Sequence, residues 1–128
     1  MKIAYVDSSC LVSIAFGEAG HRELMVQLSR FDRLFSSTLT EAEIRSALAR
    51  EGVAGKGGTL LSWLSWVYPN RRLTSEMERV LEVGSPRGAD LWHLSCALFL
   101  RTKLDGLRFL TLDGPQNRCA RALDFAGL

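Results

Sequence analysis

Residues 2–6 form a short apolar run rich in strand formers, and the run ends on an acid, Asp7. Comparable short runs stand at 34–36, near 71–73 and at 108–112, and stretches with helical periodicity separate them. Strands that alternate with helices predict an α/β protein, a three-layer α/β/α sandwich around a central, mainly parallel sheet. Right-handed crossovers then place helices on both faces of that sheet.

The helices are expected over 8–16, where Gly17 and Gly20 break the pattern, and over 21–30. Thr38 or Thr40 is the expected cap of a helix running to about residue 50. After Gly52, Gly55, Gly57 and Gly58 the apolar segment 60–67 reads as helical, and Pro69 and Asn70 mark a turn. Further helices are expected over 75–81, over 89–102 with Pro86 near its start, and over 116–125. Neither repeats nor linkers interrupt residues 1–128, which read as one domain. The chain ends at Leu128, soon after the last helical pattern, so a final edge strand is expected to be short or missing.

Composition closes off several classes. No apolar run approaches the ~18 residues of a membrane span. Residues 1–7 lack the apolar core and cleavage site of a signal peptide, which points to the cytoplasm. Cys10, Cys96 and Cys119 are odd in number and show no CxxC spacing, so they read as small buried hydrophobes rather than a zinc site or a disulfide framework. The net charge of +2 does not by itself argue for nucleic acid. Of the 16 basic residues 13 are arginine, whose planar fork suits phosphate, although biased base composition produces the same excess.

Ligands of an open parallel sheet collect beyond the carboxyl ends of its strands. Asp7 follows the first run directly and Asp113 follows Phe109-Leu110-Thr111-Leu112, so parallel strands bring both acids to one rim. Each also has a structural reading, Asp7 as a helix cap and Asp113 as part of an Asp-Gly-Pro turn. Glu43 shares a helical stripe with Leu39 and Ala47, whereas Glu41 has Arg45 four residues on and makes a surface pair. Asp90 shares a stripe with Leu94 and Ala97, with a first-turn acid favoured by the helix dipole as the alternative. His93 lies near the same face and reads as a packed, hydrogen-bonded histidine rather than a metal ligand. Clustered carboxylates repel one another unless a cation compensates, and Mg²⁺ and Mn²⁺ prefer such oxygens.

Four stretches carry a resemblance: Ala4-Tyr5-Val6-Asp7-Ser8-Ser9, the segment from Ser37 to Leu48 with Thr40-Glu41-Ala42-Glu43, Arg87-Gly88-Ala89-Asp90-Leu91-Trp92-His93-Leu94, and Phe109-Leu110-Thr111-Leu112-Asp113. In order and spacing they resemble the PIN domain, and specifically VapC-type toxins of prokaryotic toxin–antitoxin pairs. The resemblance implies one or two Mg²⁺ or Mn²⁺ ions and hydrolytic cleavage of single-stranded or loop RNA. It implies Asp7, Glu43, Asp90 and Asp113 as metal-binding and catalytic acids, with Ser8 or Ser9 and Thr111 in support. It also implies a homodimer and a cognate antitoxin that inserts a segment near the pocket. Where many relatives carry a further acid this chain has Gln116 and Asn117, so one tightly held ion is expected, the second being recruited by RNA phosphate.

An acidic pocket needs basic neighbours to accept RNA. Arg45, Arg50, Arg87, Arg118 and Arg121 are the candidates for that rim, the alternative being solvated surface charge. Trp63, Trp66 and Tyr68 sit in the apolar 60–67 region and its border, either as core or as a face for a dimer mate or antitoxin. A phosphate-accepting receiver domain is a poorer match, since Val6 and Ser8 flank Asp7 and no lysine follows Lys103. No GxGxxG turn follows the first strand, against a Rossmann module. A catalytically inactive PIN-like scaffold that binds RNA or protein is the remaining alternative.

Overall fold

The computed structural model describes all 128 residues. In chain order the elements are β1 (Ile3–Val6), α1 (Ser8–Ala15), α2 (His21–Ser29), β2 (Arg33–Ser37), α3 (Thr38–Arg50), α4 (Gly57–Leu61), β3 (Leu64–Val67), α5 (Thr74–Leu81), α6 (Gly88–Arg101), β4 (Arg108–Leu110) and α7 (Gly114–Ala122). The strands form one sheet in the order β3-β2-β1-β4, and every neighbouring pair is parallel. Tyr5 is in register with Phe35 on one side and Phe109 on the other.

Alternation along the strands builds two cores, because successive side chains point to opposite faces. Ile3, Tyr5, Phe35 and Phe109 join a buried cluster with residues of α5, α6 and α7. Ala4, Val6, Leu34 and Leu110 join a second cluster with α1, α2, α3 and α4. The three-layer expectation is met. At the centre Tyr5 stacks on Phe109 with centroids 5.5 Å apart, and Phe109 meets Phe125 at 5.9 Å. Burying a side chain of that size contributes about 1.5–3 kcal/mol.

The winding explains where a site can form. From β1 the chain steps outward to β2 and then β3, covering one face. It then crosses back over the other face through α5 and α6 to reach β4 on the far side of β1. The direction of winding therefore reverses between β1 and β4, and the crevice at their carboxyl ends is the switch point.

Several expectations are corrected. Segment 60–67 is not one helix: α4 stops at Leu61 and β3 runs over Leu64–Val67 as an edge strand. Leu64 and Trp66 pack on one cluster and Val67 belongs to the other, a period of two that a helix cannot give. Residues 71–73 form no strand. Arg71 instead grips Glu76 with two hydrogen bonds of 3.0 and 2.7 Å and holds that carboxyl down at about 2, while Leu73 caps α5. Neither Thr38 nor Thr40 caps α3. Ser37 occupies the cap position without a side-chain bond, and Thr40 bonds Ser36 at 2.6 Å. The strand expected over 108–112 ends at Leu110, and the last helix begins at Gly114 rather than residue 116.

Beyond α7 the backbone turns at Asp124, in the left-handed region at φ 67°, and returns beside β4. Phe109 donates to the Ala126 carbonyl at 2.9 Å, so a short tail rather than a fifth strand borders that edge. Cys10 and Cys96 are buried and free, as expected of small hydrophobes, and burial pushes both thiols up to about 12. No helix is long and apolar enough to cross a membrane.

Candidate active site

Asp7 is the first residue past β1 and caps α1, accepting from Ser9 N–H at 3.1 Å. Capping α1 does not take Asp7 away from the carboxyl end of β1. Ser9 Oγ also donates to the same Oδ1 at 2.5 Å, and Thr111 Oγ1 donates to Oδ2 at 2.5 Å. Asp7 is only 3% exposed. Burial pushes its carboxyl above the ordinary range, while the Ser9 and Thr111 hydroxyls pull it back down. The clamp spans the switch point, because Asp7 N–H also donates to the Leu110 carbonyl at 3.2 Å and Leu112 N–H donates to Ser9 Oγ at 3.0 Å.

Asp113 caps α7, accepting from Gln116 N–H at 2.8 Å, with Pro115 in the first turn. Its own N–H donates to Thr111 Oγ1 at 3.1 Å, so one threonine links two of the acids. Asp90 lies in the first turn of α6, half-buried above the fully buried Leu94 and Ala97. Burial raises its carboxyl, and the charges of Asp113 and Glu43 raise it further, opposed by Arg87. Glu43 projects from α3 onto His93 Nε2 at 2.7 Å. Glu41 turns outward to Arg45 at 2.9 Å, which matches the sequence distinction between the two glutamates.

Acids from four separate segments therefore share the carboxyl rim of the sheet. As the side chains stand, no three His, Cys, Asp or Glu groups lie close enough to hold a metal ion. The donor set is nevertheless the one a hard cation takes, oxygens of carboxylates and hydroxyls. The charges of Asp113 and Glu43, which add to burial in raising Asp90, are ones such a cation would neutralise. The residues present fit Mg²⁺ or Mn²⁺.

The arginines divide by their engagements. Arg45 is tied to Glu41, and Arg50 donates to Ser46 at 2.8 Å. Arg50 also borders an open groove of about 510 Å³ that includes Ser8, Val12 and Glu43. Arg87 caps α6 beside Asp90, and Arg118 lies over Gly114 at the start of α7. Arg121 stands near Gly127 on the returning tail. A cavity of about 350 Å³ lined by Met25, Leu28, Phe31 and Trp63 opens by Arg33 and Leu34 at the amino end of β2, away from the acids. Trp63 is 36% and Tyr68 69% exposed there or on the flank of β3, whereas Leu60 and Leu61 are buried.

Two contributors escaped sequence reasoning. Tyr5 is hidden among strand formers, yet its buried hydroxyl meets His93 Nδ1 at 2.7 Å and Ser37 N–H at 3.2 Å. The only cue was that a buried phenol needs a partner. Gln116 is 1% exposed, and its Nε2 donates to the Asp90 carbonyl at 3.2 Å while Oε1 has no partner. It joins the starts of α6 and α7, where the sequence had marked only a missing acid.

The match to known proteins agrees with this geometry. No curated protein sequence matches the chain. Among solved structures it is similar to VapBC-1 from nontypeable Haemophilus influenzae, at a TM-score of 0.71 and 20% identity, over 98% of this chain and 96% of that one. It is also similar to VapBC2 from Rickettsia felis bound to a DNA fragment from their promoter, at 0.68 and 12% identity, over 98% and 97%. The family model for the PIN domain matches residues 4–121, which span all four acids, and the chain belongs to the PIN domain family.

Proposed function

We propose that this PIN domain is a metal-dependent endoribonuclease, the toxin of a VapC-type toxin–antitoxin pair, acting in the cytoplasm on single-stranded or loop RNA. The observation that carries this reading is the gathering of Asp7, Glu43, Asp90 and Asp113 at the switch point, with Asp7 buried under two hydroxyl donors. The sequence resemblance and the VapBC structures with the same fold support the toxin assignment and a cognate antitoxin.

The four acids would hold the ion. Mg²⁺ or Mn²⁺ supplies an acidified water and neutralises charge on the phosphodiester. Ser9 and Thr111 fix both Asp7 oxygens, so this carboxylate would be held in one orientation to receive a cation. Ser8 lies beside Glu43 along the groove and is open to substrate. Gln116 sets the start of α6 against that of α7 and thereby the relation of Asp90 to Asp113. Being neutral, Gln116 and Asn117 favour one tightly held ion. Arg87 and Arg118 position the RNA backbone beside the acids, and Arg45 contributes when it leaves Glu41; phosphate contacts of this kind position a strand without reading bases. The exposed Trp63 and Tyr68 flanking edge strand β3 provide the face for a second copy in a homodimer.

Purified, antitoxin-free protein incubated with labelled single-stranded RNA tests the reading. Cleavage that stops in chelator and resumes when Mg²⁺ or Mn²⁺ is restored is expected. Cleavage indifferent to chelation would overturn the metal-dependent reading.

A further inference from the structure

His93 is 1% exposed, and each of its ring nitrogens has one partner. Nδ1 meets the Tyr5 hydroxyl at 2.7 Å, and Nε2 meets Glu43 Oε1 at 2.7 Å. The Tyr5 oxygen accepts from Ser37 N–H at 3.2 Å. The hydroxyl's single hydrogen then needs an acceptor. When the ring is neutral, the hydroxyl's shortest contact, His93 Nδ1 at 2.7 Å, accepts that hydrogen. Nδ1 therefore carries the lone pair and Nε2 the proton, which is donated to the Glu43 carboxylate. The bonds run in one direction, from Ser37 through Tyr5 and His93 to Glu43.

This run crosses the fold. Tyr5 belongs to β1, His93 to α6 on one face, and Glu43 to α3, whose buried residues serve the other face. Of all the acids Glu43 rides on the longest side chain, and no backbone N–H or hydroxyl clamps it as Ser9 and Thr111 clamp Asp7. His93 is its one hydrogen-bond partner, and Oε2 is left without one. We infer that His93 is a positioning residue for the metal site: Tyr5 fixes its tautomer, and its Nε2–H holds one Glu43 oxygen so that the other remains free for the cation. This rests on the reading of Glu43 as a metal-holding acid. Partners that orient a metal ligand in this way matter about 10–100-fold in metal affinity.

Two readouts test it. The chain has only two histidines, His21 and His93, so long-range ¹H–¹⁵N correlation on ¹⁵N-labelled protein resolves each ring. The expected spectrum has the His93 proton on Nε2 in the wild type and a loss of that single tautomer in Tyr5→Phe. Calorimetric titration with Mn²⁺ is expected to show about tenfold weaker binding for His93→Leu. His93→Gln, whose amide N–H can still donate to Glu43, should recover most of that loss and also guards against a folding defect in the leucine variant. A wild-type proton on Nδ1 overturns the inference, as does folded His93→Leu that binds Mn²⁺ like the wild type. A wild type that binds no Mn²⁺ overturns the metal reading and this inference together, which separates the two failures.

Discussion

Thr111 Oγ1 donates to Asp7 Oδ2 at 2.5 Å across the seam between β4 and β1. The same oxygen accepts from Asp113 N–H at 3.1 Å, so one hydroxyl orients two acids that are more than a hundred residues apart. Replacing Thr111 with Val keeps the shape and removes the hydroxyl. A buried carboxylate oxygen and a backbone N–H then lose their partner, which costs about 1–3 kcal/mol. Thermal melting should show the loss, and RNA cleavage should fall with it. An unchanged melting temperature would mean that the clamp carries no weight.

Asp7 also sets a pH dependence. Burial raises its carboxyl in the folded chain, so between the ordinary carboxylate range and its own value the folded state keeps a proton that the unfolded state has released. Stability contributed by the protonated group is complete below the unfolded pKa and is lost as pH rises through the folded one. In chelator at neutral pH, Asp7→Asn should therefore melt a few degrees above the wild type, and the gap should close in acid. Melting curves at both pH values decide it; a wider gap in acid has the wrong sign.

Gln116→Glu places a carboxyl in a buried position next to the starts of α6 and α7. Without metal the added charge adjoins Asp90 and Asp113, and the protein should lose about 1–3 kcal/mol. Mn²⁺ should restore more stability to this variant than to the wild type. Scanning fluorimetry with and without Mn²⁺ measures both; equal metal-induced shifts would place residue 116 outside the reach of the ion.

Gly84 has a packing reason to be glycine. A Cβ there would overlap Cys119 Sγ on α7. Gly84→Ala should cost about 1–3 kcal/mol through overpacking. Adding Cys119→Ala should relieve most of it. If the double variant is as unstable as the single one, the clash is not the cause.

Much of this was legible in the sequence. The apolar runs around Tyr5 and Phe109, each followed by an acid, gave the parallel sheet and its loaded rim, because burial on both faces writes a strand as a continuous hydrophobic run. Helical spacing separated Glu43 from Glu41 for the same kind of reason, since one had apolar neighbours and the other an arginine. Edge strand β3 was misread because Leu60 to Val67 is apolar apart from Ser62 and Ser65, and a short apolar run does not tell helix from strand. The hydrogen-bond partners of Tyr5, His93 and Gln116 were out of reach, since they join residues 26 to 88 positions apart and only the fold brings them together. Thr38 and Thr40 satisfied the capping rule on paper, but Ser37 already ends β2 in extended backbone and so holds the cap position itself.

The nuclease reading stands most directly on one measurement: cleavage of total cellular RNA by wild-type and Asp7→Asn protein, with Mg²⁺ or Mn²⁺ against chelator, and new 5′ ends mapped by sequencing. Discrete ends that require metal and vanish in Asp7→Asn are the expected result. Equal cleavage by the two proteins, or none by either once metal binding is established and antitoxin is absent, would contradict it and leave an RNA- or protein-binding scaffold in its place.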